Sequence, residues 1–196
     1  MALTYSEKTP IGSVAPDFAL PGVDGVTHRL NDYRNERVLV VIFMCNHCPY
    51  VKAVADRIND LARDYAGRKV AVVGINPNDS TRYPDDSFES MRKLAHEKNF
   101  AFHYLHDETQ EVARAYGAVC TPDFYVFERG RHPTPGEPET QGHFLLRYRG
   151  RLDDSWKDPS AVKSRDLARA IDQILEGTIP PEEGQIPSMG CSIKWK

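Results

Sequence analysis

The sequence predicts an α/β protein with a central β-sheet flanked by helices, and three observations carry that expectation. Val38-Leu39-Val40-Val41-Ile42-Phe43 is a continuous apolar, mostly β-branched run without alternation, the pattern of a strand covered on both faces. From Val51 the apolar residues return at helical spacing, through Val54, Ile58, Leu61, Ala62 and Tyr65. Val70-Ala71-Val72-Val73-Gly74-Ile75 then repeats the first pattern, so the unit is βαβ and its two strands are expected to be parallel.

The remaining elements follow in chain order. Phe18-Ala19-Leu20 and Val26-Thr27-His28-Arg29-Leu30 flank the turn dipeptide Asp24-Gly25, which predicts a short N-terminal hairpin. Asn76 to Pro84 is polar and turn-rich, and Asp86 with Glu89 reads as a capping box ahead of helical spacing at Phe88, Met91, Leu94 and Ala95. Phe102-His103-Tyr104-Leu105 suits a short strand. Asp107 with Gln110 reads as the cap of a short helix through Val112 and Tyr116, ending at Gly117. Phe124-Tyr125-Val126-Phe127 and Phe144-Leu145-Leu146-Arg147-Tyr148 are expected as neighbouring strands, separated by a proline-rich solvated loop from His132 to Gly142. Ser164 is expected to cap a last helix through Leu167, Ile171, Ile174 and Leu175 to Gly177. Residues 178–196, rich in proline and glycine, read as an extended tail of a single domain spanning 1–196.

Composition narrows the function classes. A formal net charge of −3, with both signs scattered, leaves no basic footprint for nucleic acid and no polybasic membrane patch. Met1 to Ala15 lacks a basic segment followed by an apolar stretch, and no apolar run reaches membrane-spanning length, so the expected location is the cytoplasm. Four cysteines are too few for a disulfide scaffold of this size and point to catalytic, metal-binding or buried thiols.

Two of those cysteines form Cys45-Asn46-His47-Cys48, where the strand ends and the helix begins. Pro49 suits a helix's first turn, which puts Cys48 at the N-cap or the first helical position. Unpaired N–H groups and the helix dipole there favour an anion, which lowers the pKa of a helix-start cysteine. A C-x-x-C beside βαβ is therefore a redox motif.

The element order resembles a thioredoxin fold, a central mixed sheet flanked by helices, with the N-terminal hairpin and central insertion of its peroxiredoxin (AhpC/TSA) and TlpA-like branches. Phe43 lies five residues before Cys48, as the strand phenylalanine of thioredoxins precedes their attacking cysteine. That register makes Cys48 the nucleophile and puts Val51 in the second cysteine's place. A competing register takes Cys45-Asn46-His47-Cys48 as the motif itself, similar to the C-G-H-C of disulfide isomerases, with His47 activating Cys45. The run Tyr116-Gly117-Ala118-Val119-Cys120-Thr121-Pro122 resembles the stretch before thioredoxin's fourth strand, which implies a cis proline at Pro122 beside the nucleophile. The whole chain is similar to the peroxiredoxin-like subgroup of the AhpC/TSA superfamily, in which His47-Cys48-Pro49-Tyr50-Val51, Cys120-Thr121-Pro122-Asp123-Phe124 and the terminal Gly190-Cys191-Ser192-Ile193-Lys194-Trp195 recur.

The resemblance implies a thiol–disulfide oxidoreductase with a role in redox homeostasis. Cys48 is its expected catalytic thiolate, with Cys45 and His47 beside it, and Thr121, Pro122, Pro49 and Tyr50 form the substrate groove. Without a cysteine at Val51 the resolving thiol is Cys45, Cys120, Cys191 or an external one, with Cys45 ranked first and Cys191 on a mobile tail. Asp123, Arg147, Arg149 and the pair Asp153-Asp154 read as solvated strand ends and turns rather than groove residues. The peroxidase signature P-x-x-x-T-x-x-C is not met: relative to Cys48 its threonine position holds Cys45 and its proline position Val41. Thiol peroxidase activity is the alternative, along with soft-metal binding through Cys45, His47 and Cys48 or a non-catalytic docking module. No cofactor and no resident metal are expected. The expected partners are a disulfide-containing protein or small molecule and a thiol electron donor, with homodimerisation through sheet edges or Trp195 left open.

Overall fold

A computed structural model describes residues 3–130 and 142–196. The strands are β1 (Leu3–Tyr5), β2 (Ala19–Pro21), β3 (Thr27–Arg29), β4 (Val38–Phe43), β5 (Val70–Asn76), β6 (His103–His106), β7 (Cys120–Thr121), β8 (Asp123–Gly130), β9 (His143–Gly150) and β10 (Met189–Ser192). The helices are α1 (Pro49–Asp64), α2 (Phe88–Glu97), α3 (Glu111–Ala115) and α4 (Asp166–Leu175).

The central sheet has the order β6-β5-β4-β8-β9. β4, β5 and β6 run parallel, and β8 and β9 are antiparallel, the mixed sheet of a thioredoxin fold. All six residues of β4 are buried because both faces are covered. Val38, Val40 and Ile42 face a cluster with Val51, Ile58 and Leu61 of α1 and Leu167, Ile171 and Ile174 of α4. Leu39, Val41 and Phe43 face the opposite cluster, with Phe18, Tyr33, Ala113 and Tyr116. The unbroken apolar run thus reports a central strand of a three-layer structure. The hairpin expected at 18–30 forms as β2 and β3.

Several helix starts differ from their local patterns. Ser87, not Asp86, caps α2, its Oγ accepting from the Ser90 N–H at 3.3 Å. Gln110 is the cap residue of α3, in a left-handed conformation, while Asp107 reaches the Ala113 N–H at 2.8 Å. Gly117 follows α3 at φ +64, the left-handed geometry that ends a helix. Ser164 does not cap α4; Arg165 precedes the helix, and the Ser164 hydroxyl donates to Asp166 Oδ1 at 2.5 Å. At α2 and α3 the residues of the expected caps are held by distant partners, Asp86 by Asn46 and Asn78 and Gln110 by the carbonyls of Pro77 and Lys194, which a four-residue window does not contain.

The C-terminal stretch corrects the expectation of a mobile tail. β10 lies between β1 and β7 in a three-stranded antiparallel sheet, pairing Cys191 with Leu3 on one side and with Thr121 on the other. Beyond it, Ile193 N–H donates to Val119 O, Lys194 N–H to Asn78 Oδ1 and Lys196 N–H to Gln110 Oε1. The proline-rich loop expected from His132 lies outside the described residues up to Thr140 and Gln141.

Candidate active site

The site forms where β4 ends, at the carboxyl edge of the parallel strands, where α/β sheets place their ligands. Met44 extends the ladder by donating to Ile75 O at 2.9 Å, and the chain then turns through Cys45, Asn46 and His47. Cys48 is the N-cap of α1 with Pro49 at the helix start, as the position of the proline predicts. Opposite, the Thr121–Pro122 peptide bond is cis. Thr121 gathers the thiols: Cys48 donates to its carbonyl oxygen at 3.2 Å, and Cys45 Sγ lies 3.3 Å from its hydroxyl. From the other side Cys191 pairs with Thr121 across the β7–β10 ladder. All four cysteines are buried thiols.

The local fields separate these thiols. Cys48 is lowered to about 5, chiefly because the Cys45 thiol hydrogen-bonds to it, against burial; the Val51 N–H in the first helical turn and the thiol and N–H of Cys191 also favour the thiolate. Cys45 is pushed well above the ordinary thiol range, first by that same bond to Cys48 and then by burial and the nearby Asp86. Burial raises Cys191 to about 11, with the bond to Cys48 adding to it. Burial raises Cys120 further, with the Asp123 charge behind it. Cys48 is therefore the thiol that ionises most readily, with the Cys45 and Cys191 thiols donating to it.

His47 is hydrogen-bonded to Asp86. Its Nδ1 meets Asp86 Oδ2 at 2.5 Å, and its ring stacks on Tyr83 with centroids 5.1 Å apart. Asp86 is fully buried and also accepts from the Asn46 N–H at 2.7 Å, the His47 N–H at 3.3 Å and the Asn78 side-chain amide at 2.8 Å. The residue read as a helix cap thus fixes the C-x-x-C turn from below. Its capping pattern hid this role.

Cys45, His47 and Asp86 offer donor atoms within 4.8 Å of one another, as do Asp24, His28 and His103. Around a tetrahedral zinc ion ligand atoms stand about 3.3 Å apart. The 2.5 Å separation of His47 and Asp86 is a hydrogen bond, and the carboxylate is already shared among three other donors. The first cluster is built as a polar support rather than a metal cage.

Asp123 and Arg149 correct the expectation of solvated strand ends. Both are buried; Arg149 donates to Asp123 Oδ2 at 2.9 Å and to Gly117 O at 2.9 Å, and lies over the Tyr125 ring. Asp153 is also buried, against Arg57, while Arg147 pairs with Glu128 and Asp154 is exposed. Tyr50, on α1, packs on Trp156 with centroids 4.4 Å apart. Trp156, Val54, Pro122 and Met189 line a cavity of about 250 Å³ beside β10. Cys120 is fully buried, its Sγ 4.0 Å from Pro122 O.

Fold and site together define a thioredoxin-fold protein with a helix-start cysteine held against the segment that leads into Pro122. The chain belongs to the AhpC/TSA family, which it matches over residues 11–151. It is similar to the crystal structure of an uncharacterized conserved protein from Geobacillus kaustophilus, at 45% identity, covering 100% of this chain and 97% of that one, with a TM-score of 0.88. Among curated proteins, peroxiredoxin Bcp of Bacillus subtilis is 26% identical over 169 residues, 85% of this chain and 95% of the relative. The thiol-disulfide oxidoreductase ResA of Geobacillus thermodenitrificans is 27% identical over 127 residues, 64% of this chain and 68% of the relative.

Proposed function

We propose that this protein is a thiol–disulfide oxidoreductase in which Cys48 is the attacking thiolate and the segment ending at Pro122 receives the substrate. The observation that carries the reading is the placement of Cys48 at the N-cap of α1, beside the cis Thr121–Pro122 bond, where the Cys45 thiol and the Val51 N–H help lower its pKa to about 5. A thiolate attacks a disulfide sulfur to form a mixed disulfide, and the second thiol of the C-x-x-C, Cys45, serves here by hydrogen-bonding to that thiolate. The likeness to ResA supports the same reading. Reduction of insulin disulfides by dithiothreitol tests it: the wild type should accelerate the reaction, and Cys48→Ser should fall to the uncatalysed rate. Full activity in Cys48→Ser would overturn the assignment.

Membership of the AhpC/TSA family and the likeness to peroxiredoxin Bcp favour a second activity, reduction of peroxide at the same sulfur. Cys45 stands where the peroxidase signature has its threonine, so this activity is expected to be the weaker. Peroxide consumption no faster than that of free cysteine would remove it; sulfenic acid formed rapidly at Cys48 would support it.

A further inference from the structure

β10 runs antiparallel to β7, the two residues before Pro122, and so takes the position in which an added strand pairs with a sheet edge. Its register sets Cys191 against Thr121, the residue whose carbonyl receives the Cys48 thiol. Cys191 also contributes both its thiol and its N–H to hydrogen bonding at Cys48. Gly190 makes this approach possible. A Cβ there would lie 2.0 Å from the Thr121 carbonyl oxygen, so only glycine lets β10 come this close. Cys45, the competing partner, also hydrogen-bonds to Cys48, but its sulfur is held at the same time by the Thr121 hydroxyl at 3.3 Å. The terminal Gly190-Cys191 motif has no part in the exchange step as described above, and its packing against the one thiolate of the site is what calls for a role.

We propose that β10 is a built-in strand in the substrate groove and that Cys191 is the resolving thiol, closing a Cys48–Cys191 disulfide during turnover. This rests on the reading of Cys48 as the nucleophile. Cys48 thiolate attacks a substrate disulfide R–S–S–R′, forming Cys48–S–S–R and expelling R′–S⁻, which takes a proton from water. Cys191 then gives its proton to the departing R–S⁻ as its sulfur attacks Cys48, so R–SH leaves and the Cys48–Cys191 bond forms. The substrate gains two electrons and the chain loses two, which an external dithiol restores. The strand pairing also defines the substrate class: an extended segment carrying a disulfide, able to displace two ladder pairs of β10.

Oxidised glutathione added to the fully reduced protein tests this, with tryptic mapping of the product. Cys45 and Cys48 share the peptide 38–52, Cys120 lies in 115–129 and Cys191 in 170–194. The wild type should end with peptides 38–52 and 170–194 joined through Cys48 and no retained glutathione. Cys191→Ser and Cys191→Ala should each retain one glutathione on Cys48, and Cys45→Ser should still form the joined peptides. A disulfide within 38–52 in both the wild type and Cys191→Ser, or a stable glutathione adduct on the wild type, would overturn the role of Cys191 and leave Cys48 in place. No adduct on Cys48 in either Cys191 variant would overturn the nucleophile itself.

Discussion

Lowering the pH from 8 to 5.5 separates a perturbed Cys48 from an ordinary cysteine more sharply than any rate at neutral pH. With its pKa lowered to about 5, Cys48 is almost wholly ionised at pH 8 and keeps about three quarters of its thiolate at pH 5.5. An ordinary thiol with a pKa of about 8.5 loses about 240-fold in thiolate over the same interval. Because burial of the sulfur slows alkylation equally at both pH values, the ratio of the two rates isolates ionisation. Iodoacetamide labelling of peptide 38–52, followed by mass spectrometry, reads that ratio. The Cys45→Ala variant removes the hydrogen bond that contributes most to the shift, so its midpoint should rise toward the ordinary thiol range. The same ionisation is linked to stability. The folded-state pKa lies below the unfolded one, so Cys48 stabilises the fold above the unfolded pKa, and that contribution is lost as the pH falls through about 5. A labelling rate that drops a hundredfold between pH 8 and 5.5, or a midpoint unmoved by Cys45→Ala, would refute the reasoning.

Three further outcomes follow from the site's surroundings. Arg149→Met leaves the buried Asp123 carboxylate uncompensated and should destabilise the protein by about 3–5 kcal/mol in denaturant unfolding, with Asp123→Leu added to Arg149→Met recovering most of the loss. Asp86→Ala strips buried partners from Asn46, His47 and Asn78 and should cost about 2–4 kcal/mol by thermal unfolding; a change under 0.5 kcal/mol would show that the carboxylate does not hold the turn. Gly190→Ala forces β10 off Thr121 and should speed alkylation of Cys48 about tenfold, the effect of about 1.4 kcal/mol in the strand's closure; an unchanged rate would mean that β10 does not cover the sulfur.

The sheet and the turn that leads from β4 into α1 were legible because their signals are local and redundant. Six consecutive apolar residues from Val38 to Phe43, followed by Pro49 and helical spacing from Val51, admit few arrangements other than a central strand feeding a helix with Cys48 at its start. β10 was not legible. Four residues, two of them small, in a proline- and glycine-rich stretch carry no periodicity, and the partner that makes them a strand lies some seventy residues earlier in sequence, at Cys120–Thr121. Asp86 and Asp123 failed for a related reason. Each sits in a sequence context typical of a surface turn, and only the fold brings Asn46, His47 and Asn78 to one and Arg149 to the other. A single signal could have hinted at the second pair: an arginine and an aspartate inside otherwise apolar strand ends, where a charge survives only if another meets it.

Limiting iodoacetamide at pH 6 tests most directly whether Cys48 is the one activated thiol. The reduced protein, quenched early and digested, should carry the label on Cys48 alone within peptide 38–52, with Cys45, Cys120 and Cys191 unmodified. Label on Cys45 ahead of Cys48, or spread evenly over the four cysteines, would contradict it.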